Sequence, residues 1–162
     1  MLRRAITARG FTLVEMLTVV AVGAILLTFG VTGMRDLILN QRIKTASFDV
    51  FSSLTYARSE AITRNTTVTL TPTGGNWASG WSITDAAGNA LRTQNALSNI
   101  TVTCATCTSG VVAYNGMGRL NLASTATAPQ FEITAPGVTG SNMRCIRIDL
   151  SGRPVSKSQA CS

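Results

Sequence analysis

Histidine is absent from this 162-residue chain. That removes the commonest general base, the commonest metal ligand and every Ser-His or Cys-His nucleophile pair. Acidic groups are scarce as well. Asp and Glu total 7, and the glutamates are Glu15, Glu60 and Glu132 alone. No paired carboxylates, nucleophile–base pair or phosphate-binding loop appears, so the composition argues against an enzyme. Charged residues make up only 13%, about half the usual share, against 45% apolar residues, which suits neither a disordered chain nor a coiled coil. Proline is missing before Pro72, and no internal repeat is present.

What is there is unevenly placed. Lys and Arg number 14, giving a net charge of +7. Arg3, Arg4 and Arg9 lie in the opening ten residues, while Arg144, Arg147, Arg153 and Lys157 crowd the tail against Asp149. From Phe11 to Met34 the only charge is Glu15. A helix of that length rises about 36 Å, enough to cross a hydrocarbon core of about 30 Å. A secretory signal fits poorly, since the apolar run is too long and no A-x-A-like site follows it. The basic flank predicts a single-pass membrane segment with its N-terminus in the cytoplasm and residues 36–162 on the far side.

A carboxylate inside such a segment is costly and needs a partner. The nearest candidate cation is the α-amino group that cleavage before Phe11 would create. Gly10-Phe11-Thr12-Leu13-Val14-Glu15, beside its basic leader, resembles the class III leader junction of type IV pilins and of the pseudopilins of type II secretion. The resemblance implies that a prepilin peptidase cuts after Gly10, that Phe11 becomes the N-methylated terminus, and that Glu15 pairs with a neighbouring subunit's terminus during assembly. Many major pilins carry a kinking proline in the membrane segment. This chain has Thr32 there, leaving Gly23, Gly30 and Gly33 as the residues that could loosen the helix.

Beyond Arg35 the pattern becomes amphipathic. Leu39, Ile43, Ala46, Val50, Leu54, Ala57 and Ala61 recur at helical steps, with Phe51 beside them. This predicts a half-buried stalk helix over 35–64, ended by Asn65-Thr66-Thr67 and continuous with the apolar segment. From Thr66 the period falls to two. Short strands are expected at Thr66–Thr71, Gly80–Thr84, Ala90–Gln94, Asn99–Cys104, Val111–Tyr114, Gln130–Thr134 and Arg144–Leu150, with a loop over Ala123–Ala128. A long helix laid on an antiparallel sheet is an α+β layout. The expected organisation is thus a cleaved leader (1–10), a transmembrane helix (11–34), a stalk (35–64) and a β-rich periplasmic head (65–162).

Three further stretches narrow the resemblance. Tyr56–Arg64, the Trp77-Ala78-Ser79-Gly80-Trp81 hairpin start with Asp85 and Gly88-Asn89, and the Tyr114-Asn115-Gly116 turn with Gly118-Arg119 are similar to the GspH/FimT branch of minor pilins and pseudopilins. The type IV pilin fold follows from that resemblance. Trp77 and Trp81 read simply as filling between helix and sheet.

Four cysteines in a head exported to an oxidising space imply disulfides, with three connectivities open. A local Cys104–Cys107 loop and a Cys145–Cys161 clamp on the tail are preferred. A zinc site would need all four as thiolates, so no metal and no cofactor is expected. In the tail, alternation puts Ile146, Ile148 and Leu150 inward and Arg147 outward with Asp149. Arg144, Arg147, Arg153 and Lys157 then form a candidate phosphate-facing patch for double-stranded DNA. Some FimT-type minor pilins of transformable bacteria bind DNA through a Gly-Arg-x-Arg motif before the last cysteine. Here Gly152-Arg153 is kept, Val155 stands where the second arginine belongs, and Lys157 follows two residues later. A solvated basic face is the plainer alternative. The implied role is a non-enzymatic minor pilin that assembles into or primes a type IV pilus with other pilins, with DNA capture as an added function. A GspH-like minor pseudopilin of the type II protein secretion system is the other reading.

Overall fold

The computed structural model describes residues 10–107, 110–122, 127–138 and 142–161, with the side chains of 28–33 excepted. Most of the leader (1–9), part of the loop expected at Ala123–Ala128, and the side chain of Thr32 lie outside these, as do the surroundings of Gly30 and Gly33. The chain forms two compact units, Met1–Ile38 and Leu39–Ser162.

Helix α1 covers Leu13–Arg64. In the first unit its side chains from Phe11 to Leu27 are exposed all round apart from Gly23, with Phe11 at 79% and Leu27 at 73%. A helix apolar on every side needs apolar cover. Among the described residues no helix is long and apolar enough to cross a membrane. The span expected over 11–34 takes in residues 28–33, whose side chains are not described.

In the second unit α1 turns one face inward. Ile43, Ala46, Val50, Leu54, Ala57 and Ala61 are buried, while Leu39 and Phe51 are half-buried at the margin. Three of the buried positions are alanine, which lets the strands come close to the helix backbone. The helix stops at Arg64 because Asn65 takes a left-handed conformation (φ 48°), with Thr66 N–H closing onto the Ala61 carbonyl at 3.2 Å. In the last turn Arg64 pairs with Glu60 one turn back at 2.7 Å.

Eight strands follow among the described residues: β1 (Val68–Pro72), β2 (Trp81–Asp85), β3 (Ala90–Gln94), β4 (Thr101–Cys104), β5 (Val112–Tyr114), β6 (Gln130–Thr134), β7 (Arg144–Ile148) and β8 (Pro154–Lys157). The seven expected strands are present within two residues at each end. The expectation of one sheet is corrected to two, both antiparallel, ordered β3-β2-β1-β5 and β4-β6-β7-β8. Buried residues alternate along β1, β2, β5 and β6, which is the period-two signal of a half-buried strand. The sheets share one hydrophobic layer with the helix. Trp77 joins them, its ring edge-on to Phe131 of β6 at 4.8 Å and tilted to Trp81 of β2 at 5.9 Å. Both tryptophans are therefore core, as the plain reading held. Leu150 corrects the expected inward pattern: β7 ends at Ile148, and Leu150 sits on the following turn at 71% exposure.

Candidate assembly site and basic face

At the chain's start Thr12 caps α1. Its hydroxyl oxygen accepts from the Glu15 N–H at 3.3 Å, and its carbonyl accepts from Glu15 N–H and Met16 N–H at 3.2 Å. Thr12-Leu13-Val14-Glu15 thus has the S/T-x-x-E form of a capping box, with Glu15 in the first turn. A carboxylate there is favoured by the positive end of the helix dipole. Glu15 is exposed, and Gly10 and Phe11 precede it ahead of the helix, exposed as well. The signal for Thr12 is in the sequence as the S/T-x-x-E spacing ahead of an apolar run.

The tail cations divide between two faces. On β7 and β8, Arg147 stands opposite Val155 and Cys145 opposite Lys157, so these four share the outer face of the second sheet. Arg147 and Lys157 line one groove there with Ala128, Asp149, Leu150 and Val155. Arg144, one residue out of phase, lies elsewhere. It donates to Ser158 and lines a different groove with Lys44 of the helix. Arg153 is exposed at the β7–β8 turn. The structure therefore brings Arg147 and Lys157 together, puts Arg153 at the end of their face, and separates Arg144 from them.

Both preferred disulfides are present, Cys104–Cys107 and Cys145–Cys161. The second draws the tail back across the outer face, where Cys161 N–H donates to the Glu132 carboxylate at 3.0 Å. Glu132 is opposite Cys145 on β6. Glu132 is thus an anchor for the tail that sequence reading did not single out.

The β7–β8 turn is built on Asp149. Its Oδ1 accepts from the Ser151 hydroxyl at 2.5 Å and from Arg153 N–H at 2.9 Å. The Ser151 hydroxyl, then the Arg153 amide, hold the Asp149 carboxyl below its ordinary value. Gly152 completes the turn at φ +83°. A Cβ there would fall 2.2 Å from the Gly118 carbonyl oxygen. Gly118 also takes a left-handed conformation, at φ +72°, and a Cβ there would have to displace the Ile62 side chain, whose Cδ1 lies 2.5 Å away. Arg58 of α1 joins the two turns by donating from Nε to the Gly118 carbonyl at 3.0 Å and from a terminal nitrogen to the Ser151 carbonyl at 3.3 Å. Helix, first sheet and second sheet are thus tied at one point, beside the buried Tyr114, whose phenol is pushed up chiefly by burial.

Among the described residues no group of three or more His, Cys, Asp or Glu could hold a metal ion. Residues 47–152 match the family model of the type II transport protein GspH, and residues 7–31 match the prokaryotic N-terminal methylation motif. Two crystal forms of the type IV minor pilin FimU from Pseudomonas aeruginosa share the fold. One is 23% identical with a TM-score of 0.62, covering 75% of this chain and 94% of that one. The other is 24% identical with a TM-score of 0.60, covering 74% and 97%. No curated protein sequence matches.

Proposed function

We propose a role from one premise, that this chain belongs to the GspH family of type II transport proteins and is a minor pilin or pseudopilin with the type IV pilin fold. The finer reading is a non-enzymatic subunit that enters or primes a type IV pilus. One observation carries it: a methylation motif at residues 7–31 and a pilin head at 47–152 occur in the same chain. In this reading prepilin peptidase cuts after Gly10, Phe11 becomes the methylated terminus, and the exposed apolar surface from Phe11 to Leu27 lies first in the inner membrane and then among neighbouring pilins. The head is periplasmic, which agrees with its two disulfides.

Glu15 acts in assembly. Held in the first turn by Thr12, its carboxylate is available to a neighbouring subunit's new amino terminus. Glu15→Ala is expected to leave the protein cleaved and membrane-bound but absent from sheared fibres. Normal incorporation of that variant would refute the pairing. Recovery in pseudopili rather than pili would favour the secretion reading of the same fold.

A second reading, DNA capture, draws on the shared outer face of Arg147 and Lys157 with Arg153 at its end. Three such contacts predict a log–log salt slope of roughly −3 for duplex DNA. Titration of the oxidised head (36–162) should show that slope, and Arg147→Ala with Lys157→Ala should abolish binding. No binding near physiological salt would make this face a solvated one.

A further inference from the structure

The turn after β5 and the turn between β7 and β8 share one five-residue form. Asn115-Gly116-Met117-Gly118-Arg119 and Asp149-Leu150-Ser151-Gly152-Arg153 both run Asx-x-x-Gly-Arg. In each, the first residue's Oδ1 accepts from the arginine N–H, at 3.1 Å and 2.9 Å. In each, the glycine N–H donates to the first residue's carbonyl, at 2.8 Å and 2.9 Å. Both turns are therefore firmly built, and they lie side by side, Gly152 against the Gly118 carbonyl and Gly118 against Ile62 of α1. Turn tips ordinarily carry small or polar residues. Here each carries a large apolar one, Met117 at 80% exposure and Leu150 at 71%. Among the described residues of the second unit, the exposed large apolar side chains are Phe48, Ile62, Met117 and Leu150, and the last three belong to this corner. Arg119 and Arg153 close the two turns, both exposed and neither in an ion pair among the described residues. The neighbouring acids are engaged: Asp149 holds its own turn, and Glu60 pairs with Arg64.

We propose that this corner of the head binds the surface of an anionic phospholipid bilayer, with Met117 and Leu150 entering the headgroup layer and Arg119 and Arg153 on the lipid phosphates. The occupant follows from shape and charge. A bilayer admits apolar side chains singly, as two rigid tips present them, and arginines beside them favour an anionic surface. A stable protein partner asks for a continuous face of about 800 Å², whereas the apolar surface here is confined to two tips and Ile62. Duplex DNA would use the arginines and leave Met117 and Leu150 in water. The proposal concerns the head alone and holds equally for a pilus subunit or a secretion subunit.

The test uses the full-length protein, its apolar N-terminal segment held in nanodiscs of phosphatidylcholine, mixed with separate vesicles and floated. Vesicles of phosphatidylcholine with about a third phosphatidylglycerol should carry the protein upward, and purely neutral vesicles should carry roughly tenfold less. Met117→Ser with Leu150→Ser, and separately Arg119→Gln with Arg153→Gln, should each lower binding roughly tenfold or more while the head melts as before. Each arginine is expected to account for roughly fivefold. Phe48→Ser, about four turns before Ile62 on α1, should bind as wild type. No vesicle binding, whether or not duplex DNA is bound, would overturn the proposal, as would equal binding to both vesicles. A loss with Phe48→Ser equal to that of the tip variants would overturn it as well. Binding that survives both pairs of turn variants but is lost with Arg147→Ala and Lys157→Ala would put the lipid on the outer face and overturn this corner's role.

Discussion

Replacing Gly152 by alanine tests the junction between the two sheets. Two costs add. Placing a side chain at φ +83° costs about 1–2 kcal/mol. The new Cβ would also sit 2.2 Å from the Gly118 carbonyl oxygen, and ordinary carbon–oxygen contacts begin near about 3.3 Å. Backbone must therefore give way by about 1 Å, an overpacking penalty of about 1–3 kcal/mol. That shift also pulls the Gly118 carbonyl off Arg58. The sum is about 2–5 kcal/mol, or about 8–20 °C in Tm for a head of this size. Gly75→Ala supplies the control, because Gly75 has a similar φ of +76° but nothing within 4 Å of its Cβ. It should lose only the conformational part, about 1–2 kcal/mol. Thermal melting of the oxidised head, followed by circular dichroism, reads both. If Gly152→Ala melts no lower than Gly75→Ala, the two turns do not touch as described.

Two other outcomes follow from the tail. Replacing Cys145 and Cys161 by serine opens a closed loop of separation 16 and should cost about 3 kcal/mol on the chain-entropy model, against about 2 kcal/mol for the Cys104–Cys107 pair. Equal melting of the first double variant and wild type would count against the clamp. Asp149 gives a pH signature. Its carboxyl is held low in the folded head, so its contribution is present above the unfolded value of about 3.9 and is lost as pH falls through the folded one. Asp149→Ala should therefore destabilise the head at pH 7 but approach wild type in strong acid. A difference independent of pH would show that the carboxylate is not what holds the turn.

Much of this architecture is legible in the chain because its signals are local. The buried stripe Ile43–Ala61 and the alternation at β6 can be read from spacing alone. What escaped depends on pairing at a distance. Strand β8 is hard to see in the sequence because Pro154 lowers the strand signal and its neighbours are polar, which is how edge strands look. The division into two sheets is invisible locally, since no residue announces its partner strand. Arg144 and Arg147 are three apart in a basic tail, yet the pleat and the end of β7 send them to different surfaces. Gly152 carried a family signal beside Arg153, but its contact with Gly118 shows that the glycine also answers a packing need.

Strand β8 has one strand neighbour, and an edge pulled from its free end unzips one backbone bond pair at a time. Here both ends are held, by the Gly152 turn against Gly118 and by the Cys145–Cys161 bond beyond Lys157. Tension on the C-terminus would load the covalent link to β7 and bypass the hydrogen bonds of β8. The head should then yield in shear across a whole sheet, which takes more force than peeling, and the last strand should stay folded under load.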